Sequence, residues 1–234
     1  MRPRGDGLSK VGLLQLDPTV GDLEQNSHRL ARLAEQAEAA GAALGVSTEL
    51  AVCGYPPRDL LMERDFVERS MDVALNIPTD LPVLVGTPIP AEDDRTLPTN
   101  GVVRAGPQVA TITGDEHSRI VAEKQLLPTY DVFDEARYFA AKNRSGLARS
   151  IGGLTLGVTV CEDAWQSSGM TPSSYAQDPI EHIAGWCRQG VEINATVNLS
   201  ASPFHTDKFT KRLEVARHAA SVLNHPFLLA NQVG

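Results

Sequence analysis

The feature that most constrains the fold is an alternation between short apolar runs and segments of helical period. Leu154–Val160 is a continuous apolar, β-branched run, which is typical of a strand buried on both faces. Residues 206–223 carry apolar side chains at helical spacing, and this spacing predicts a long helix. These side chains are Phe209, Leu213, Ala216, Ala220 and Leu223. Strands that alternate with helices predict an α/β layered fold.

The same alternation continues through the rest of the chain. Asp22 is a candidate N-cap for a helix that Gly41 ends, and further helical patterns surround Phe66 and Ile180. Additional strands are predicted at Val11–Leu16, Ala42–Ser47, Pro82–Gly86, Gly101–Arg104, Val109–Thr113, Ile193–Leu199 and Pro226–Asn231. A hairpin turn is predicted at residues 105–108, and residues 88–98 are interpreted as a surface loop.

Composition excludes several classes of protein. The chain has 234 residues, 42% of them hydrophobic, which favours one large α/β domain over two small ones. A net charge of −8 argues against nucleic-acid or anionic-membrane partners. The three cysteines show no disulfide framework, and no apolar stretch reaches the roughly 20 residues of a membrane span. We therefore expect a soluble cytoplasmic protein.

Three chemically reactive residues each follow a predicted strand. Glu49 follows the run from Ala42, Lys124 follows residues 118–121, and Cys161 follows Leu154–Val160. Active residues of α/β sheets gather beyond the carboxyl ends of strands, so we expect these side chains to meet in one cleft.

A thiol, a carboxylate and an ammonium together suit the hydrolysis of an amide. The thiolate attacks the carbonyl carbon, and the carboxylate takes the thiol proton and later protonates the departing ammonia. The ammonium stabilises the thiolate and the oxyanion. Acyl transfer through a thioester requires neither a metal nor an organic cofactor.

Several motifs then give a specific resemblance. They are Thr48–Pro57, Lys124–Tyr130, Val132–Phe139, Cys161–Trp165, Asn198–His205 and Asn231–Gly234. In this order they resemble the motifs of the nitrilase (carbon–nitrogen hydrolase) superfamily, and within it the glutaminase domains of glutamine-dependent NAD synthetases. They extend over nearly the whole chain, so we expect residues 1–234 to form one such domain.

The resemblance implies a fold and a set of residue roles. The implied fold is an αββα sandwich of four layers. Glu49 would be the general base, Lys124 the oxyanion stabiliser, Cys161 the nucleophile and Glu135 a second glutamate that orients the lysine. The residues implied to shape the glutamine pocket are Tyr55, Tyr130, Phe133, Trp165, Ser200 and Ser202.

The resemblance also implies partners. Glutamine would be hydrolysed through a cysteine thioester, and the ammonia would serve an NAD synthetase domain, in cis or in trans, that converts deamido-NAD to NAD. The sequence contains neither a Gly-x-x-x-x-Gly-Lys-Ser/Thr loop nor a Ser-Gly-Gly loop. We therefore expect the synthetase domain, with its ATP and Mg²⁺, to be absent from this chain, and the last strands of the sandwich to be missing. A homo-oligomer is expected by the same resemblance.

Two departures from the family pattern are visible. Ser47-Thr48 replaces the usual aromatic–proline pair before the glutamate, and Ala122-Glu123 precedes the lysine where a tyrosine and a basic residue are common. Because neighbours on a strand alternate faces, Glu123 is expected to point away from Lys124.

Simpler roles are expected for the remaining polar residues. Cys53 and Cys187 are interpreted as small buried hydrophobic residues. Glu162 and Asp163 are interpreted as structural carboxylates that hold the loop after the nucleophile. Arg137 and Arg144 are expected at the surface or in salt bridges. The six histidines lack the spacing of a zinc site, so no metal is expected, and only His205 is placed near the rim of the cleft.

Two other functions remain open at this point. The chain could be another enzyme of the superfamily that acts on a different amide, nitrile or carbamoyl group. Alternatively, it could be a non-catalytic remnant or assembly module.

Overall fold

The computed structural model describes residues 9–93, 96–106, 119–143 and 145–233. The strands in these ranges are β1 (Lys10–Leu13), β2 (Ala42–Val46), β3 (Val83–Ile89), β4 (Thr99–Ala105), β5 (Ile120–Glu123), β6 (Gly146–Ile151), β7 (Leu154–Val160), β8 (Ala195–Ser200) and β9 (Phe227–Asn231). The α-helices are α1 (Leu23–Ala39), α2 (Arg64–Leu75), α3 (Pro179–Arg188) and α4 (Lys208–Leu223).

The described strands form two mixed sheets. The first has the order β1-β2-β3-β4-β5, in which β1, β2 and β3 are parallel and β4 and β5 continue antiparallel. The second has the order β6-β7-β8-β9, in which β7, β8 and β9 are parallel. Glu49, Lys124 and Cys161 follow the carboxyl ends of β2, β5 and β7.

Three apolar clusters show how the layers stack. The central cluster lies between the sheets and joins Leu44, Leu84 and Val102 of the first sheet to Leu156 and Val197 of the second. A second cluster packs α1 and α2 against the first sheet, and a third packs α3 and α4 beneath the second sheet. The predicted four-layer αββα sandwich is confirmed. Each fully buried leucine or valine side chain contributes about 1.5–3 kcal/mol.

Most predicted elements are present, with some differences. Asp22 caps α1 by accepting a hydrogen bond from the N–H of Gln25 at 3.2 Å. Pro88 and Ile89, at the start of the predicted surface loop, belong to β3. Strand β6 was not predicted. The strand Val109–Thr113 and part of the hairpin turn lie outside the described ranges. Among the described strands, β3 and β5 are the antiparallel partners of β4.

The apolar stripe of the last helix is divided between two environments. Val215, Ala219 and Leu223 form the buried face of α4. Phe209 is 74% exposed and Leu213 is 36% exposed, although both belong to the stripe read from the sequence. The helix is therefore apolar on a second, outward face. No helix within the described ranges is long and apolar enough to cross a membrane.

Candidate active site

Glu49 is placed by a tight backbone approach between β2 and β3. It lies just after β2, fully buried, and is followed by Leu50 in the left-handed region at φ 46°. Gly86 of β3 lies directly beneath, where a Cβ atom would come within 2.4 Å of the Thr48 carbonyl oxygen and 3.0 Å of the Glu49 Cα. Only glycine leaves room for the glutamate to occupy this position.

Both oxygens of the Glu49 carboxylate are held by hydrogen bonds. Oε1 accepts from Lys124 Nζ at 2.8 Å and from Asn100 Nδ2 at 2.8 Å. Oε2 accepts from the backbone N–H of Ala201 at 2.9 Å. Because Glu49 and Lys124 are both fully buried, the pair is shielded from solvent and held in one geometry.

A second glutamate completes the environment of the lysine. Glu135 begins a single 3₁₀ turn (Glu135–Arg137), and its Oε2 lies 2.7 Å from Lys124 Nζ. The hydroxyl of Tyr55 donates to Glu135 Oε1 at 2.9 Å. Burial alone would lower the pKa of Lys124, but the charges of Glu135 and Glu49 together raise it well above its usual range. The lysine is therefore a permanent cation.

Cys161 lies at the turn that follows β7. It starts a 3₁₀ turn (Cys161–Ala164) and adopts φ 44°, a left-handed conformation that costs a non-glycine residue about 1–3 kcal/mol. Its sulfur accepts a hydrogen bond from Ser200 Oγ at 3.4 Å, and its carbonyl accepts one from Asn198 Nδ2 at 3.3 Å. Burial raises the pKa of the Cys161 thiol, Glu49 raises it further, and Lys124 opposes both effects.

The end of β8 brings the thiol and the carboxylate together. Ser200, the last residue of β8, donates to the Cys161 sulfur, while the next residue, Ala201, donates to Glu49. One short backbone segment therefore contacts both groups, although Cys161 and Glu49 come from different sheets. The structure brings Glu49, Lys124, Glu135 and Cys161 into one site.

The two carboxylates after the nucleophile have different partners. Asp163 accepts hydrogen bonds from the backbone N–H groups of Gln125, Leu126 and Val160 at 3.0–3.1 Å. These bonds tie the segment that follows Lys124 (residues 125–130, the lysine loop) to the turn Cys161–Ala164, which begins at the predicted nucleophile (the nucleophile turn). Burial raises the pKa of Asp163 to about 7. Glu162 instead accepts hydrogen bonds from side chains, namely the hydroxyls of Tyr130 and Tyr175. Asp163 thus has the structural role expected of it. However, two of its three backbone partners belong to the loop after Lys124 and not to the loop after Cys161.

The predicted pocket residues divide into two groups. Tyr55, Phe133 and Ser202 line a cavity of about 600 Å³ that also contacts Glu135. Tyr130, Trp165 and Ser200 do not line this cavity. Tyr130 donates to Glu162 at 2.8 Å, and Ser200 contacts the nucleophile. Trp165 is buried, with the Lys208 ammonium 4.3 Å from its ring centre.

Sequence reasoning missed three residues of the site: Asn100, Lys208 and Tyr175. Asn100 is fully buried, and its carbonyl also accepts the N–H of Lys124 at 2.7 Å. The polar pair Thr99-Asn100, which precedes the apolar run of β4, was the available signal. Nothing in the sequence near Lys208 or Tyr175 distinguishes them from surface residues.

The remaining sequence predictions can also be located. Cys53 is buried as expected, whereas Cys187 is only half-buried because its part of α3 turns toward solvent. Glu123 points away from Lys124 and accepts a hydrogen bond from Thr99. His205 and Arg137 are exposed, and Arg144 lies outside the described ranges. Among the described residues, no group of three or more His, Cys, Asp or Glu side chains is arranged to hold a metal ion.

The chain is similar to known proteins in both sequence and fold. The family model for carbon–nitrogen hydrolases matches residues 10–234. The glutamine-dependent NAD(+) synthetase of Synechocystis is 36% identical over 96% of this chain and 39% of the relative. That of Thermotoga maritima is 32% identical over 96% of this chain and 35% of the relative. The chain therefore spans well under half the length of these relatives.

Solved structures give a matching fold. A glutamine-dependent NAD+ synthetase from Acinetobacter baumannii superposes with a TM-score of 0.75 at 23% identity, over 96% of this chain and 38% of that one. An amidase from Nesterenkonia sp. superposes with a TM-score of 0.67 at 18% identity, over 98% of this chain and 80% of that one. The shared architecture is that of the nitrilase fold.

Proposed function

The chain belongs to the carbon–nitrogen hydrolase family, and from that premise we propose that it hydrolyses the side-chain amide of glutamine through a thioester on Cys161. The observation that carries the proposal is the fully buried Glu49–Lys124 pair, 2.8 Å apart, held beside the thiol. A carboxylate that exchanges protons, a permanent cation and a thiol are the groups that this reaction uses.

Formation of the thioester is the first half of the reaction. Glu49 takes the proton of the Cys161 thiol as the sulfur forms a bond to the amide carbon. The carbonyl oxygen becomes an oxyanion that Lys124 and the backbone N–H groups after the nucleophile stabilise. When the carbon–nitrogen bond breaks, Glu49 returns its proton to the nitrogen, and ammonia leaves. Because burial raises the thiol pKa, proton transfer has to accompany attack.

Hydrolysis of the thioester completes the cycle. Glu49 takes a proton from water, and the water oxygen bonds to the thioester carbon. Lys124 stabilises the second oxyanion as it did the first. When the carbon–sulfur bond breaks, the thiolate receives the proton from Glu49 and glutamate is released. The route uses only groups of this chain and one water molecule.

Glutamine is favoured over a simple amide by a pair of opposite charges near the nucleophile. Glu162, adjacent to Cys161, is a buried carboxylate with one oxygen bound by tyrosine hydroxyls. Lys208 is half-buried over Trp165, and its charge acts on both Cys161 and Glu162. An anion and a cation near the nucleophile suit the α-ammonium and α-carboxylate of an amino acid. Simple amides carry neither charge.

Substrate comparison tests this assignment. We expect glutamine to be hydrolysed with a much higher kcat/KM than an uncharged ω-amide such as butyramide or a carbamoyl amino acid. A preference for either of those compounds would favour another activity of the superfamily.

Labelling separates an enzyme from a non-catalytic remnant. A thiol-reactive glutamine analogue should modify Cys161, glutamine should protect it, and Cys161→Ser should remove the labelling. Cys187, the half-buried cysteine of α3, provides an internal control because its reactivity should be independent of glutamine. Absence of selective labelling at Cys161 would favour the interpretation that the chain is a non-catalytic remnant.

The ammonia is proposed to serve NAD synthesis. The support is the resemblance to NAD synthetases over 35–39% of their length. A synthetase domain, in cis or in trans, would use ATP and Mg²⁺ to amidate deamido-NAD. In the test, a synthetase domain is mixed with this chain, glutamine, deamido-NAD, ATP and Mg²⁺, and NAD formation is measured. We expect NAD to form from glutamine only when this chain is active. Equal NAD yields with Cys161→Ser would contradict the coupling.

Self-association is proposed through the outward face of α4. Phe209 (74% exposed) and Leu213 on α4, and Phe204 (80% exposed) in the segment before it, are exposed apolar side chains that a second copy would cover. Phe209→Ser should shift the mass measured by light scattering from oligomer to monomer. Met62→Ser, which removes a 58% exposed side chain from another surface, is the matched control and should leave the mass unchanged.

A further inference from the structure

The loop between the nucleophile turn and α3 is fastened at several points. Gln166 makes a two-way pair with Tyr175, because its Nε2 donates to the Tyr175 carbonyl at 3.3 Å and its Oε1 accepts the Tyr175 N–H at 3.4 Å. Thr171 donates to the same Oε1 at 3.1 Å. Ser168 donates to the Trp165 carbonyl at 2.7 Å, and Ser167 pairs with His218 of α4. These bonds fix the backbone of Tyr175 relative to the nucleophile turn.

From this position Tyr175 reaches the carboxylate beside the nucleophile. Its hydroxyl donates to Glu162 Oε1 at 3.3 Å, and the hydroxyl of Tyr130, from the lysine loop, donates to the same oxygen at 2.8 Å. Glu162 Oε2 accepts no hydrogen bond from the residues that the structure describes. Two donors on one oxygen set the plane of the carboxylate and leave the other oxygen available to a ligand.

We propose that Tyr175 is a positioning residue that determines specificity. By donating to Glu162 Oε1, Tyr175 orients the carboxylate so that Glu162 Oε2 binds the α-ammonium of the substrate. The inference rests on the proposed glutaminase function and adds to it the residue that sets discrimination between glutamine and simple amides. Tyr175 acts through Glu162 and does not itself take part in the chemistry.

The charges around Glu162 support this role. Burial raises the pKa of Glu162, while the hydrogen bond from Tyr130, the charge of Lys124, the hydrogen bond from Tyr175 and the charge of Lys208 lower it. These groups come from the lysine loop, the end of β5, the loop after the nucleophile and α4. Loss of the Tyr175 hydroxyl removes one stabiliser of the ionised form, so the carboxylate is expected to ionise at higher pH.

Tyr175→Phe tests the proposal without changing the ring. KM for glutamine should rise about five- to ten-fold with a smaller change in kcat, because a hydrogen bond to a charged group is lost. The acid limb of kcat/KM for glutamine should move to higher pH. Hydrolysis of butyramide, which lacks the charged end, should change less than two-fold. Ser174→Ala, which removes an exposed hydroxyl from the residue next to Tyr175, is the control and should leave all three measurements unchanged.

Two results would overturn the inference in distinguishable ways. If wild-type protein hydrolyses glutamine and Tyr175→Phe lowers kcat/KM equally for glutamine and butyramide, with no shift of the acid limb, Tyr175 has only a structural role and the proposed function stands. If wild-type protein shows no preference for glutamine, the proposed function fails and this inference fails with it. Tyr130→Phe, which removes the shorter bond to the same oxygen, should produce the same pattern with a larger rise in KM and is measured in parallel.

Discussion

Glu49 Oε1 accepts a hydrogen bond from Lys124 Nζ at 2.8 Å, and both side chains are fully buried. The two residues are 75 positions apart in the chain and reach each other from β2 and β5 of the same sheet. Burying two charges costs free energy that the pair recovers only if every remaining polar atom is satisfied. Asn100, Ala201 and Glu135 provide those further contacts.

Lys124→Met should destabilise the protein as well as inactivate it. The substitution leaves Glu49 and Glu135 buried without their cation, which costs about 3–5 kcal/mol in comparable sites. Urea unfolding measures the loss. Arg188→Met, which breaks the exposed pair between Arg188 and Glu181, is the control and should change the free energy of unfolding by less than about 1 kcal/mol. Similar losses of unfolding free energy in the two variants would contradict the claim that Lys124 neutralises buried carboxylates.

Glu49→Gln should remove catalysis with a smaller loss of stability. Lys124 keeps Glu135 as a partner, but no base remains to accept the thiol proton, so glutamine hydrolysis should fall about 10²- to 10⁴-fold. Ammonia release at saturating glutamine measures the effect. Glu181→Gln, on the exposed face of α3, should retain wild-type activity. Activity of Glu49→Gln within a few-fold of wild type would rule out Glu49 as the base.

Gly86→Ala should displace Glu49, the proposed general base. The new Cβ would lie 2.4 Å from the Thr48 carbonyl oxygen and 2.7 Å from the Leu50 nitrogen, both of them backbone atoms. We expect strongly reduced hydrolysis and a lower melting temperature. Gly185→Ala in α3 is the control, since its nearest neighbour is a side-chain atom of Arg188 at 3.8 Å. That variant should be neutral or more stable by up to about 1 kcal/mol. Full activity in Gly86→Ala would disprove the steric argument.

Glu135 should make stability depend on pH. Burial raises its pKa from 4.5 to about 7 despite the nearby Lys124. The folded protein thus holds this proton more tightly than the unfolded chain does. The stabilisation is fully present below pH 4.5 and is lost as the pH rises through about 7. Glu135→Gln should therefore flatten the decline in unfolding free energy across this range, as measured by urea titration at several pH values. An unchanged pH dependence would contradict the raised pKa.

Lys208→Gln should weaken binding more than chemistry. Its ammonium lies over Trp165 near Cys161 and is proposed to hold the substrate carboxylate. KM for glutamine should rise about ten-fold or more while kcat changes less. Lys211→Gln alters an exposed lysine of the same helix and provides the control. Equal KM values for the two variants would remove Lys208 from the binding site.

Local patterns were enough to predict much of this architecture. Alternating apolar runs and helical periods identified most strands and helices, and Asp22 was identified as a cap from its own neighbours. Glu49, Lys124 and Cys161 were identified because each follows a strand and belongs to a motif. These features depend on residues a few positions apart, so the sequence displays them directly.

Contacts between distant segments were decided by the tertiary structure alone. That Ala201 donates to Glu49 across 152 positions, and that Tyr175 reaches Glu162, follows from how the two sheets stack and how one loop is fastened. The sequence also did not show that Phe209 points toward solvent. Helical spacing shows which residues share a face of the helix but not which face the sheet covers. The periodicity of the backbone is a local property, whereas burial and partner choice depend on the packing of the whole chain.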